Sequence, residues 1–133
     1  MDRIIRVDMS NLKVSEEEIP EKYKKFGGRG ITSKIINDEV IPTCNPIGKN
    51  NKLVFSTGLL GGTTVSSSHR LSVGAKSPLN GRIKEANSGG TAGRKLSDLK
   101  IRAIIVEGKP KTDDCYVLNV SADKIEIEKR NDL

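Results

Sequence analysis

The fold class this sequence predicts is an α+β domain, mainly antiparallel β-sheet with two or three short helices. Three observations carry it. Apolar and polar residues alternate along most of the extended runs, at the period of a half-buried strand. Clusters of Gly, Pro, Asn and Ser separate those runs. Helical spacing of apolar residues occurs in short stretches, as with Ile31, Ile35, Ile36 and Val40.

Taken in order, Arg3–Met9 places Ile4, Ile5 and Val7 in a strand. Asn11–Leu12 reads as a turn, and Lys13–Ile19 as a second strand, so the chain opens on a β-hairpin. Pro20 suits a first helical position with Glu21 behind it, and Glu21–Phe26 is expected to be a short helix closed by Gly27–Gly28. Gly30–Val40 is a second helix, stopped by Pro42. Thr43–Asn51 is a loop, Lys52–Thr57 a strand, and Gly58–Ser68 a Gly/Thr/Ser loop. Arg70–Ala75 alternates as a half-buried strand does. A turn at Ser77–Gly81 allows Gly81–Ala86 to pair back. Thr91–Leu99 holds a short helix with Leu96 and Leu99 inward. Ile101–Glu107 is almost continuously apolar, which marks a central strand. Cys115–Val120 and Lys124–Lys129 alternate around Ser-Ala-Asp and form a terminal hairpin.

The 133 residues suffice for one domain, 1–133, with a modest core. There are two Phe, two Tyr and no Trp, so that core must be aliphatic. The net charge is +6, and residues 51–100 hold eight Lys/Arg against two acids, which is the whole excess. The basic field therefore coincides with the Gly/Ser-rich middle and favours an anionic partner there, against the plainer alternative of a solvated basic face. Cys44 and Cys115 lie far apart and form no CxxC, so they read as reduced thiols and frame no metal or iron–sulfur site. The start, MDRIIRVDMS, lacks the apolar core of a signal peptide, and no run reaches membrane-span length. A cytoplasmic location is expected.

Ser66–Gly93 mixes lone basic residues, hydroxyls and glycines with one acid, Glu85. Such a segment buries little apolar surface, but it presents backbone amides, Arg and Asn to something anionic and polar. Within it, Ala86-Asn87-Ser88-Gly89-Gly90 combines a donor–acceptor side chain with backbone that a ligand can approach closely. A tight strand-to-helix turn is its structural alternative. Arg70 carries a planar fork suited to phosphate or a polarised heterocycle, where a solvated surface Arg is the plain reading. His69 reads better as a satisfied or exposed residue than as a catalyst. Gly58–Thr64 follows neither the P-loop pattern nor GxGxxG. Gly27-Gly28-Arg29-Gly30 reads as a helix end and restart, with no ligand assigned. Paired carboxylates, a Cys/His dyad or a metal-ligand cluster are not evident, so no catalytic residue and no metal ligand is assigned. Chemistry would have to come from a cofactor or a partner.

Read together, RIIRVDMS, FGGRG, NKLVFSTGLLGGT, HRLSVGAKSPLNG, ANSGG and AIIVEGKP resemble, in this order, the start of the tungsten-containing aldehyde:ferredoxin oxidoreductase family. The resemblance runs from about Arg3 to Pro110 and on through the terminal hairpin. It implies half of a β-saddle that carries a tungsten bis-molybdopterin cofactor with a bridging magnesium. It implies pterin contact by Arg70, and contact with the pterin phosphates and magnesium by Asn87, with Ser88, Gly89 and Gly90 as backbone contacts. Pterin dithiolene sulfurs would hold the metal. The implied activity is oxidation of aldehydes to carboxylic acids, with ferredoxin taking the electrons.

The chain departs from that pattern in three ways. It ends before the family's second, pseudo-symmetric sheet. It lacks the iron–sulfur cysteines and the helical domains. His69 stands where a small residue is common. The expectation is a cofactor-binding part that is inactive alone and is completed by the remainder of an enzyme or by a partner subunit. The alternatives are a non-catalytic binding module and a homo-oligomer joined through an unfinished sheet. The scarcity of aromatic stacking platforms argues against single-stranded nucleic acid.

Overall fold

The computed structural model describes residues 2–132. Its elements are β1 (Arg3–Asp8), β2 (Lys13–Glu18), α1 (Arg29–Glu39), β3 (Lys52–Thr57), β4 (Leu71–Lys76), β5 (Ile83–Ser88), α2 (Ala92–Asp98), β6 (Ile101–Glu107), β7 (Tyr116–Val120) and β8 (Ile125–Lys129). Six strands form one sheet in the order β2-β1-β6-β3-β4-β5, and β7 and β8 form a separate ribbon. Strands β1 and β6 run parallel; the other pairings are antiparallel.

The sheet is covered on both faces at its centre and open toward its β5 edge. Beneath α1, Ile31, Ile35, Ile36 and Val40 pack with Ile4, Val54, Ala103, Ile105 and Tyr23. On the opposite face, Ile5, Val7, Ile101 and Ile104 pack under Leu96 and Leu99 and under Leu118, Val120, Ile125 and Ile127 of the ribbon. This explains the two apolar patterns. Strand β6 feeds both clusters and reads as continuous, whereas β4 alternates because one face packs on α1 and the other is half open.

A bulge reconciles β6 with its neighbour. Ile101 and Ala103 are two residues apart, so an unbroken pleat would point them the same way. The ladder steps from Arg3↔Ile101 to Ile4↔Ala103 and leaves Arg102 unmatched. The extra residue turns Ile101 and Ala103 to opposite faces. The freed Arg102 guanidinium pairs with Asp2 and donates to the Phe26 carbonyl at 3.2 Å.

At the far end of α1, five charged groups from five elements meet. Arg6 grips Glu39 with two hydrogen bonds of 2.9 Å and reaches Glu17 at 2.9 Å and Glu107 at 3.3 Å. Lys52 pairs with Glu39 at 3.1 Å and also with Glu107. Burial alone would raise the Glu39 carboxyl, but the hydrogen bonds from Arg6 and Lys52 outweigh it and hold the group below its ordinary value. An acid at a helix C-terminus opposes the helix dipole, and these two cations offset that.

Several elements differ from the sequence-based expectation. Strand β5 runs Ile83–Ser88, not Gly81–Ala86, because the turn that Ser77 N–H closes on the Arg82 carbonyl carries the chain two residues further. Glu21–Phe26 is not an α-helix; a 3-10 turn spans Glu21–Tyr23 and buries Tyr23. Phe26 donates to the Tyr23 carbonyl, and the chain then leaves the turn into the glycines. Helix α1 starts one residue earlier than expected, at Arg29, with Gly28 as its N-cap at φ +54°. The FGGRG run is therefore a helix start, not a helix end followed by a restart.

Candidate functional site

The turn closed by Ser77 N–H to the Arg82 carbonyl sets the β4–β5 register, pairing Ser72 with Asn87 and Leu71 with Ser88. Arg70 immediately precedes this ladder, at the end where Ser88 closes it and Gly89 and Gly90 lead away. The five residues singled out from the sequence thus gather at one end of one hairpin. All five are exposed. Arg70 makes no ion pair or side-chain hydrogen bond among the described residues. Asn87 is anchored: Ser72 Oγ donates to its Oδ1 at 2.7 Å.

The loop is held at its far end too. Gly93, in the first turn of α2, lies against residues 69–70, where a Cβ would sit 2.2 Å from the His69 carbonyl oxygen. Only glycine permits that approach, and it brings α2 onto the segment that leads through Arg70 into β4. His69 is used locally, with Nδ1 receiving the Gly62 N–H at 3.4 Å and Nε2 standing 3.4 Å from Arg94 Nη1. It is a structural residue of the loop–helix junction.

The glycine motifs now separate into two kinds. Those of FGGRG and GLLGG serve packing: a Cβ on Gly27 would lie 2.6 Å from Leu59 N, and one on Gly61 would lie 2.3 Å from Ser97 Oγ. Gly89 and Gly90 have no atom within 4 Å of a built Cβ. Gly90 adopts φ +99°, a conformation that favours glycine, yet it packs on nothing. Gly89 and Gly90 leave exposed backbone open to approach from solvent, beside Arg70 and the anchored Asn87. The donor set, a guanidinium, an amide and loop N–H groups, suits phosphate oxygens. A phosphate-bearing cofactor therefore fits the residues present. Among the described residues no group of three or more His, Cys, Asp or Glu is placed to hold a metal ion, and Cys44 and Cys115 are free thiols.

Sequence reasoning missed Ser72 and Arg29. Ser72 looks like an ordinary polar residue in a strand, and its partner emerges only from the hairpin register. Arg29 pairs through Nε with Glu85 Oε2 at 3.2 Å, tying the start of α1 to β5 two residues before Asn87. Glu85 offered a clue, as the single acid in a basic segment.

Residues 4–133 match the family model for the aldehyde ferredoxin oxidoreductase N-terminal domain. The chain is 40% identical over 109 residues to a tungsten-containing aldehyde ferredoxin oxidoreductase of Pyrococcus furiosus, covering 80% of this chain and 18% of that protein. It is 38% identical over 127 residues to the enzyme of the same name from Pyrococcus horikoshii, covering 94% and 21%. Among solved structures, the active-site complex BamBC of benzoyl coenzyme A reductase with 1,5-dienoyl-CoA superposes with a TM-score of 0.89 at 27% identity, over 96% of this chain and 19% of that one. The chain thus spans about a fifth of the length of the relatives it matches. No helix among the described residues is long and apolar enough to cross a membrane.

Proposed function

Because the chain belongs to the aldehyde ferredoxin oxidoreductase family, matching its N-terminal domain, we propose that it is the phosphate-holding part of a cofactor cradle. Arg70 would contact the pterin moiety of a tungsten bis-molybdopterin. Asn87 and the backbone of Ser88, Gly89 and Gly90 would hold its phosphates and a bridging magnesium. When bound in a complete enzyme, that cofactor supplies the two-electron oxidation of an aldehyde to a carboxylic acid, with ferredoxin as acceptor. The chain's own residues bind and orient. Arg70 places fixed positive charge, Asn87 gives a directed donor, and Gly89–Gly90 let the backbone approach closely. The remainder of the enzyme or a partner subunit completes the site, in the cytoplasm, and the chain alone does not catalyse.

The observation that carries this reading is the unfilled space at Gly89 and Gly90 beside exposed Arg70 and anchored Asn87. The likeness to the benzoyl coenzyme A reductase complex supports a general holding role, since that complex is named for a different substrate. Isothermal titration with magnesium pyrophosphate tests it. Saturable binding, weakened about tenfold in Arg70→Ala and in Asn87→Ala, supports it; about tenfold corresponds to about 1.4 kcal/mol. Identical titrations for the parent chain and both variants would remove it. Measurable aldehyde oxidation by the purified 133-residue chain would contradict the inactive-alone reading.

A further inference from the structure

We propose that Ser72 is a positioning residue of this site, holding the Asn87 amide with Oδ1 turned into the protein and Nδ2 left for the ligand. The proposal rests on the anion-site reading of Asn87. Ser72 is 4% exposed and stands opposite Asn87 in the β4–β5 ladder. Its hydroxyl donates to Asn87 Oδ1 at 2.7 Å. With the oxygen engaged as acceptor, the amide plane is fixed and the NH2 group is the unheld end. A free Asn presents either end to solvent, and its oxygen would repel a phosphate oxygen. Fixing the amide selects the donor end before the ligand arrives and removes part of the ordering cost of binding.

The FGGRG motif braces this arrangement. Gly28 packs against Ser72, where a Cβ would lie 3.3 Å from Ser72 Oγ, so a larger residue would press on the hydroxyl. The next residue, Arg29, clamps Glu85 at 3.2 Å, on the same face of β5 as Asn87 and two positions before it. The start of α1 therefore supports β5 immediately below the ANSGG loop. This gives the motif a role without making it a ligand.

NMR of the 15N-labelled 133-residue chain reads the Asn87 side-chain amide pair directly, and titration with magnesium pyrophosphate reads binding. In Ser72→Ala the Asn87 amide resonances are expected to shift and average, and the dissociation constant to rise about tenfold. Ser72→Thr, which keeps the hydroxyl, restores both. Asn87→Asp keeps an acceptor for Ser72 but replaces the donor end with an oxygen, and loses pyrophosphate binding in a folded chain. Unmoved Asn87 resonances in Ser72→Ala overturn the positioning role alone. Moved resonances with unchanged binding overturn it together with the anion-site reading of Asn87. So does Asn87→Asp that binds like the parent, or a parent chain with no saturable binding. Thermal melts on each variant separate these outcomes from unfolding, and if Ser72→Ala does not fold, Ser72→Thr and Asn87→Asp carry the test.

Discussion

Thr32 on α1 and Gly74 on β4 are in such close contact that a Cβ on Gly74 would lie 2.7 Å from the Thr32 Cβ. Both are buried, and the contact sets how deeply the helix settles on the sheet. Gly74→Ala is expected to lose about 1–3 kcal/mol by overpacking, read as a lower denaturant midpoint with an unchanged slope. Thr32→Ala combined with it should recover part of the loss, because the Thr32 Oγ1 that would lie 2.9 Å from the new Cβ is gone.

Acid should weaken the fold through Glu39. Its folded-state pKa lies below the ordinary value of 4.5, so its contribution is complete above that value and fades as pH falls through the folded pKa. Guanidinium melts at pH 7 and pH 3 should show a lower midpoint in acid. Glu39→Gln should flatten part of that dependence. It should also cost about 1–3 kcal/mol at pH 7, since Arg6 and Lys52 lose a shared acceptor.

The two glycines of the ANSGG loop should respond differently. Gly89 has open space and no positive φ, so Gly89→Ala should melt like the parent yet bind magnesium pyrophosphate more weakly. Gly90 sits at φ +99°, so Gly90→Ala should also lose about 1–3 kcal/mol of stability from backbone strain. Calorimetric melts beside the titrations check both.

The terminal ribbon is a lid on the second core cluster. Leu118 packs against the cluster of Ile5, Val7, Ile101 and Ile104, and Leu118→Ala should cost about 2 kcal/mol, less than a fully buried site because Leu118 is only half-buried. Removing residues 111–133 should expose that cluster, which light scattering would read as association.

Strand positions were legible because alternation reports burial on one face, and β6 stood out because both of its faces are covered. The short helix at Glu21 was not, since Pro20 and an acidic start open a 3-10 turn as readily as an α-helix. The parallel β1–β6 pairing was hidden because nothing local marks a bulge at Arg102. At the site, Arg70 and the ANSGG loop were visible as residue types in a basic segment. Ser72 was not, because its meaning lies in the residue across the ladder, and sequence order separates the two by a whole hairpin.

The β1–β6 ladder also fixes a timetable. Arg3 pairs with Ile101, so β1 waits for β6, the last strand of its sheet to be made. At a synthesis rate of about 5–20 residues per second, that wait is on the order of 5–20 s. Through it, β1 has β2 on one side and no strand on its other edge. A nascent chain of this design spends those seconds vulnerable to unwanted pairing, and then closes its sheet in one late event.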